Sequence, residues 1–573
     1  MTLRKTLLSV IAAKSSALSV DDPQLRNSNL RESCVTAWHS MKTQWALTTA
    51  CLAAQAMAAG QLDPLPLPPM GFNNWARFMT NINESIFVDA ADAMAKNGLL
   101  AAGYNRLNLD DAWSTMSRAA NGSMVCDAVK FPRGLPWLTK YMRSKGFVPG
   151  IYTDAGKLSC GGYPGALDHE KIDTRDFQAW GFEYLKMDGC NLPDDTEAKY
   201  HEIYSRWPRA IAASGKPLVF SNSAPAYFFD PDNLTDWYAV MGWAAEYGQL
   251  ARHSADVATY PDGDGWSSIM YNYGVHVRLA RFQRPGFFND PDFLITDHPS
   301  LSFEEKKSHF ALWCSFSAPL LLSVDIPSLS QDDLAFLRNK DLIAVNQDRL
   351  VEQATLVSRD DRWEVLTKSL ENGDRLLTVL NRGAVTGTLK VPWDRIGLSS
   401  KAFGTASVRV KNLWTGNVRN VAIADGGIIA SQVPSHGTAV FRITKSKSPV
   451  IPRGMVFNTL TLSCLTDQAS GKVIWSECNA SDAQVWAVNA NGRVSSLLRP
   501  DACIVDDDGK IISHQDGCEK TSWVYKVSGN LISSVSGRCL TESANGTAAG
   551  VSCGHLLNEQ VLALPVGVKV DRR

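Results

Sequence analysis

Eight short β-rich runs recur between residues 70 and 325, and helical patterns fill several of the gaps between them. The runs are MGFNNW (70–75), YNRLNLD (104–110), FVPGIYTD (147–154), FEYLKMD (182–188), PLVFSNS (217–223), QLARHSAD (249–256), GFFNDPDF (286–293) and PLLLSVD (319–325). The helical patterns include ESIFVDAADAMAKNGLLAAG (84–103) and DTEAKYHEIYSRWPRAIAASG (195–215). The second carries Ala198, Ile203, Trp207 and Ile211 near helical spacing and stops at Gly215. Alternating strands and helices build a parallel sheet, and eight units in roughly 280 residues match an α/β fold of the (β/α)8 TIM-barrel type. Asp110, Asp111, Asp154, Asp188, Asn222 and Asp292 all fall at the C-terminal ends of the proposed strands. That is the end where such barrels build their sites.

The fourth run continues as YLKMDGC (184–190). Side chains in a strand alternate faces, so Lys186, Asp188 and Cys190 are expected on one side and Leu185 and Met187 on the other. The apolar side can pack on helices, and the charged side is either a structural ion pair or part of a site. Carboxylates around one barrel mouth serve few chemistries. Divalent metals prefer histidine or clustered acidic ligands at short spacing, and no histidines pair at that spacing near these carboxylates. Neither a metal nor a cofactor is therefore expected. Glycoside hydrolysis, in contrast, needs two opposed carboxyl groups among polar neighbours.

Beyond the barrel, assigned to 61–345, the pattern changes. RWEVLTKSL, DRLLTVLNRG, GTLKVPW and GTAVFRITK, separated by Gly and Asp turns, predict an antiparallel β-domain over 346–445. A Pro-, Ser- and Lys-rich linker follows at 446–454, and the tail, 455–573, repeats. Cys464, Cys503 and Cys539 each open a similar unit (CLTD, CIVD, CLTE), and QVW, WVY and QVL follow the second cysteine of each. The period of 36–39 residues marks a threefold-repeated fold.

The start of the chain reads as processing sequence. MKTQWALTTACLAAQAMAAGQLDP, from Met41, has a basic start, a short apolar core and small residues before a polar segment, the pattern of a secretory signal over about 41–60. The first forty residues show no sustained periodicity and read as an extension of the gene model. A mature chain beginning between Ala59 and Gln61 is expected. Five Asn-X-Ser/Thr triplets, at Asn83, Asn121, Asn233, Asn479 and Asn545, fit secretion to the extracellular space. Ten of the twelve cysteines follow residue 60. The last six pair by spacing as Cys464/Cys478, Cys503/Cys518 and Cys539/Cys553, while Cys126 and Cys314 have no evident partner. A net charge of −1 gives no electrostatic argument for nucleic acid or an anionic membrane, and no later apolar run is long enough to span a bilayer.

GFNNWARF, NLDDAW, GIYTDAGKLSCGGYPG, YLKMDGC, RHSAD and FFNDPDF, with FPRG (131–134) and IAVNQD (343–348), occur in an order that resembles glycoside hydrolase family 27. That family comprises α-galactosidases and α-N-acetylgalactosaminidases, and the resemblance spans roughly residues 66–445. The tail resembles a ricin B-type β-trefoil whose Q-x-W motif is worn in its second and third repeats. The resemblance implies that Asp188 is a nucleophile and Asp256 an acid/base. It assigns sugar contacts to Trp75, Asp110, Asp111, Lys186, Ser223, Ala226, Tyr227, Arg252 and Asp292. It also implies a Cys160–Cys190 disulfide. Ala112 stands where the family often has cysteine, so a further family disulfide is missing.

The implied activity is retaining hydrolysis of α-galactoside oligosaccharides and polysaccharides by double displacement, with the two carboxyls about 5–5.5 Å apart. Repulsion between them is expected to raise the pKa of Asp256. Ser223 and Ala226 are small where α-galactosidases commonly carry bulkier residues, which leaves an α-N-acetylgalactosaminidase as the alternative. A carbohydrate-binding protein with an inactive barrel is a third reading, opposed by the presence of both Asp188 and Asp256. In the trefoil, Thr466, Val505 and Thr541 replace the usual sugar-binding aspartate, so weak or no glycan binding is expected unless Asp467, Asp506 or Glu542 substitutes.

Overall fold

The computed structural model describes residues 65–398, 406–444, 450–519 and 521–572. The expected signal segment and chain start lie outside the described residues.

Eight parallel strands form the first sheet: β1 (Met70–Asn73), β2 (Arg106–Leu109), β3 (Val148–Asp154), β4 (Tyr184–Asp188), β5 (Val219–Asn222), β6 (Leu250–Arg252), β7 (Phe288–Asp290) and β8 (Leu320–Leu322). They neighbour one another in chain order, with β8 returning beside β1. Beyond β7, Asp292 takes a left-handed conformation (φ 80°), and Leu294 then bridges in parallel to Leu322, which closes the barrel.

Register explains the layering inside. Tyr184, Val219, Leu250 and Phe288 open β4 to β7 and form, with Leu65 and Val351, an apolar cluster at the N-terminal end of the barrel. Two residues on, the same inward faces present Lys186, Ser221, Arg252 and Asp290, so the interior turns from apolar to charged in one step. Leu185 and Met187 point outward into the helical layer and are fully buried. The expected alternation thus holds as far as Asp188. It does not extend to Cys190, because β4 ends at Asp188 and Cys190 lies in the loop that follows.

The stretch 195–215 is not one helix. It forms two, Glu197–Tyr204 and Arg206–Ser214, and the second ends at left-handed Gly215. Pro208 lacks an amide hydrogen and would crowd the carbonyl four residues back, which breaks the helix after its second turn. Ala198 is exposed, and Tyr200, Ile203 and Tyr204 form the buried face instead.

The next region is a sandwich. A six-stranded antiparallel sheet packs over the two-stranded sheet Gly387–Pro392/Gly427–Val433 around Trp363, Trp393, Val379 and Phe441. The tail folds as three disulfide-bonded units, with Cys464–Cys478, Cys503–Cys518 and Cys539–Cys553 joined as their spacing implied. The indole of Trp486 donates to the carbonyl of Leu465 (2.7 Å) and that of Trp523 to Ile504 (3.0 Å), each acceptor being the residue after a unit's first cysteine. Trp523 is therefore the counterpart of Trp486. The worn motif of the second unit is Thr521-Ser522-Trp523, not the WVY two residues later.

Candidate active site

At the C-terminal mouth of the barrel, β1 and β2 supply the first wall. Asn73 donates to Asp110 Oδ2 (2.7 Å), and Asn74 Oδ1 accepts the amide of Asp110 (2.8 Å). β2 ends at Leu109, so the adjacent aspartates leave the strand alternation and are both buried at the mouth. Asp111 accepts the amides of Ala112 (2.7 Å) and Gly161 (2.8 Å), with Ala112 in the left-handed region (φ 71°). Burial raises the Asp111 carboxyl above its ordinary pKa, partly offset by these amides.

β4 supplies the second wall. Lys186 Nζ lies 2.9 Å from Asp110 Oδ2, with only 8% of the residue exposed. Burial opposes its charge, but Asp110, Asp188 and Asp256 all face it and hold it protonated. Asp188 accepts a short hydrogen bond from the Tyr227 hydroxyl, and Tyr204 donates to its backbone carbonyl (2.8 Å). Burial raises the Asp188 pKa, while Lys186 and the Tyr227 hydroxyl pull it down, leaving a net rise. Cys160 and Cys190 are joined, and both sulfurs lie against the Tyr227 hydroxyl (3.6 and 3.3 Å). Asp154, paired in register with Asp188, accepts the amides of Gly156 (2.7 Å) and Cys190 (2.8 Å). Burial first, and the Asp188 charge second, push Asp154 up to about 7. Asp154 and the two sulfurs cluster tightly enough for a metal, but both sulfurs are consumed by the disulfide.

β6 and β7 supply the third wall. Arg252 pairs with Asp256 (2.7 Å) and Asp292 (3.1 Å), and the indole of Trp75 donates to Asp256 Oδ2 (3.1 Å). Asp292 also accepts the amide of Val257 (2.8 Å); burial raises it to about 6 despite Arg252. The side chain of Asp256 is 54% exposed at the rim. What burial it has favours its neutral form, yet Arg252 and Lys186 outweigh this and leave its pKa below the ordinary value. The expected upward shift of Asp256 is therefore corrected: Arg252, four residues back, and Lys186 outweigh burial and the repulsion expected from Asp188.

Ser223 follows β5 at the head of a short 3-10 turn, Ala224–Tyr227. It is 2% exposed, and its hydroxyl has no hydrogen-bond partner among the described residues. With Lys186, Arg252 and Asp292 it lines a narrow cavity of about 10 Å³, room for one water. Ala226 is half-buried beside it, and Tyr227 is 39% exposed.

All eleven residues assigned by resemblance to catalysis or sugar contact thus sit at one mouth. Asn73, Asn74, Asp154 and Tyr204 are additional members. The signal for the first two was the doubled asparagine in GFNNW, directly before the rim tryptophan.

Comparison with known proteins matches this architecture. Residues 67–348 match the alpha galactosidase A family, 360–443 the alpha galactosidase C-terminal beta sandwich domain and 452–561 the ricin-type beta-trefoil lectin domain. Alpha-galactosidase A of Aspergillus niger is 48% identical over 88% of this chain and 93% of its own. Alpha-galactosidase 2 of Arabidopsis thaliana is 33% identical over 66% of this chain and 90% of its own. The crystal structure of alpha-galactosidase I from Mortierella vinacea superposes with a TM-score of 0.61 at 26% identity, covering 67% of this chain and 99% of that one. The chain belongs to the alpha galactosidase A family, glycoside hydrolase family 27, and carries a ricin-type β-trefoil lectin domain behind its catalytic barrel and sandwich.

Proposed function

We propose that this chain is a secreted, retaining α-galactosidase that removes terminal α-D-galactose from oligosaccharides and polysaccharides. The observation that carries the reading is Lys186, which faces Asp110, Asp188 and Asp256 together and so ties a candidate nucleophile, a candidate acid and a hydroxyl-binding carboxylate to one barrel mouth. Asp188, aimed by Tyr227, attacks the anomeric carbon while Asp256 gives its proton to the departing glycosidic oxygen. A covalent galactosyl ester on Asp188 results. Asp256, now ionised, takes a proton from water, which attacks the same carbon and frees Asp188 with net retention. Asp110, Asp111 and Lys186 hold the outer hydroxyls. Turnover of 4-nitrophenyl α-galactoside beside its 2-acetamido analogue tests the reading; no hydrolysis of either sinks it.

The electrostatics predict the pH profile. Activity needs Asp188 ionised and Asp256 protonated, but their surroundings raise the pKa of the first and lower that of the second. With one proton between the two, the competent form is thus the minority arrangement. kcat/KM is expected to be a bell whose limbs both lie on the acidic side of neutrality. A bound sugar shields the rim carboxyl of Asp256 from water and raises its pKa, and because Asp256 is the first of the two to ionise, the acidic limb of kcat should lie above that of kcat/KM. A flat profile to pH 8 would contradict this.

Ser223 and Ala226 favour a second activity. Ser223, with its free buried hydroxyl, and half-buried Ala226 carry little bulk to block a C2 substituent, so 2-acetamido substrates should also be turned over. One methylene-sized change of shape discriminates by about 1–3 kcal/mol, which separates the two sugars only modestly. Ser223→Glu with Ala226→Leu should abolish the 2-acetamido activity selectively; its absence from the parent enzyme would refute this view of the pocket.

The secreted reading draws support from four disulfides, from sequon asparagines that are all exposed, and from the absence, among the described residues, of a helix long and apolar enough to cross a membrane. Little sugar binding is expected of the trefoil. Each carboxylate that could replace the usual aspartate is spent on the next unit: Asp467 on Ser496 (2.6 Å), Asp506 on Arg538 (2.7 Å), Glu542 on Thr461 (2.7 Å) and Ser463 (2.8 Å). Calorimetry of the full chain with galactose should count one site per chain; two or more would overturn this.

A further inference from the structure

We infer that the trefoil buttresses the substrate pocket, and that Asn558 at its edge is a positioning residue for the loop 223–234, which carries Ser223, Ala226 and Tyr227. The inference rests on the α-galactosidase reading for what the loop does, but not for how it is held.

Three hydrogen bonds join the trefoil to the end of this loop. Asn558 Oδ1 accepts the buried amide of Leu234 (3.0 Å), Asn558 Nδ2 donates to Asn233 Oδ1 (2.9 Å), and the Thr235 hydroxyl donates to the carbonyl of Leu556 (3.2 Å). Asn558 is held in turn from within the trefoil, its carbonyl accepting from Asn458 (3.1 Å). The apolar seam is continuous as well: Phe457, Leu556, Val561 and Ala563 belong to the same buried cluster as the barrel helices.

From this anchor two short routes reach the site. Helix Thr235–Tyr247 begins at the seam, and the indole of Trp237 in its first turn donates to the carbonyl of His253 (2.9 Å), next to Arg252. Phe229 packs edge-on against Trp237 (5.0 Å), and Phe228 edge-on against Tyr200 (4.8 Å), which fixes the segment directly after Tyr227. Tyr227 itself reaches Asp188. The loop is thus held at one end by β5 and at the other by a different domain. A loop held at both ends needs little reordering when sugar arrives. With one end released, only a fraction of molecules carries the binding-competent loop, and the apparent affinity falls by that fraction while the bound complex reacts normally.

Asn558→Ala removes both side-chain bonds and leaves the sequon at Asn233 intact. Its KM for 4-nitrophenyl α-galactoside is expected to rise about 3–10-fold with kcat within about twofold. Asn558→Asp keeps the acceptor for Leu234 and should fall between it and the parent. Arg395→Ala is the control. It cuts a different trefoil contact, Arg395 Nη2 to Asp482 (2.7 Å) on the sandwich side, and should leave KM unchanged. Hydrogen–deuterium exchange of the resting protein reads the loop without any substrate. Peptides covering 223–238 should exchange faster in Asn558→Ala and not in Arg395→Ala. Unchanged exchange in Asn558→Ala, or equal changes in KM for both variants, would overturn the proposal. A parent enzyme inactive on α-galactosides would overturn the proposed function alone, since the exchange experiment still decides the buttress.

Discussion

Asp188→Ala is expected to lose at least about a thousandfold in kcat/KM on aryl α-galactosides, roughly 4 kcal/mol of transition-state stabilisation at 1.36 kcal/mol per decade. No neighbour can replace it. Asp154, across the register on β3, has both oxygens committed to the amides of Gly156 and Cys190, and Asp110 is held by Lys186 and Asn73. The variant should melt no lower than the parent, because burial and the nearby carboxylates already oppose the Asp188 charge. Loss of activity without loss of stability separates a nucleophile from a structural carboxylate. Azide fits the space vacated and attacks from the same side, so it should restore turnover of the aryl substrate and yield the β-galactosyl azide. Ordinary activity in Asp188→Ala would remove the nucleophile from the scheme.

Lys186→Met should damage both stability and chemistry. The ammonium is buried 2.9 Å from Asp110, and taking one partner out of a buried ion pair costs about 3–5 kcal/mol because the other charge is stranded. Asn73 and the Asp111 amide remain on Asp110 and soften that loss. The same lysine lowers the pKa of both Asp188 and Asp256, so its removal should move both limbs of kcat/KM to higher pH. A thermal melt and a pH–rate profile check both parts. A variant with the parent's melting temperature and limbs would show that Lys186 is not the charge that organises the mouth.

Much of this was legible in the sequence, for identifiable reasons. Barrel strands are buried on both faces, so PLVFSNS and FEYLKMD read as strands without help from neighbours, and the alternation in β4 placed Lys186 and Asp188 inward correctly. What depends on register was not legible. Asn73 and Asn74 hold Asp110 because β1 pairs with β2 at Asn73–Asn108, a match no local pattern announces. The break at Ser205 was visible in Pro208 but outweighed by apolar spacing. The second trefoil unit misaligned because Trp523 follows its cysteine by five residues where Trp486 follows by eight, and only the indole hydrogen bonds reveal the equivalence. The electrostatics of Asp256 failed for a similar reason. Two opposed carboxylates could be inferred along the chain, but the closure of Arg252 onto Asp256 comes from the turn after β6.

The central claim is double displacement through Asp188 with Asp256 as acid and base. Time-resolved proton NMR of 4-nitrophenyl α-galactoside hydrolysis tests it most directly, read before mutarotation mixes the anomers. The account predicts α-galactose as the first product; β-galactose appearing first would contradict it.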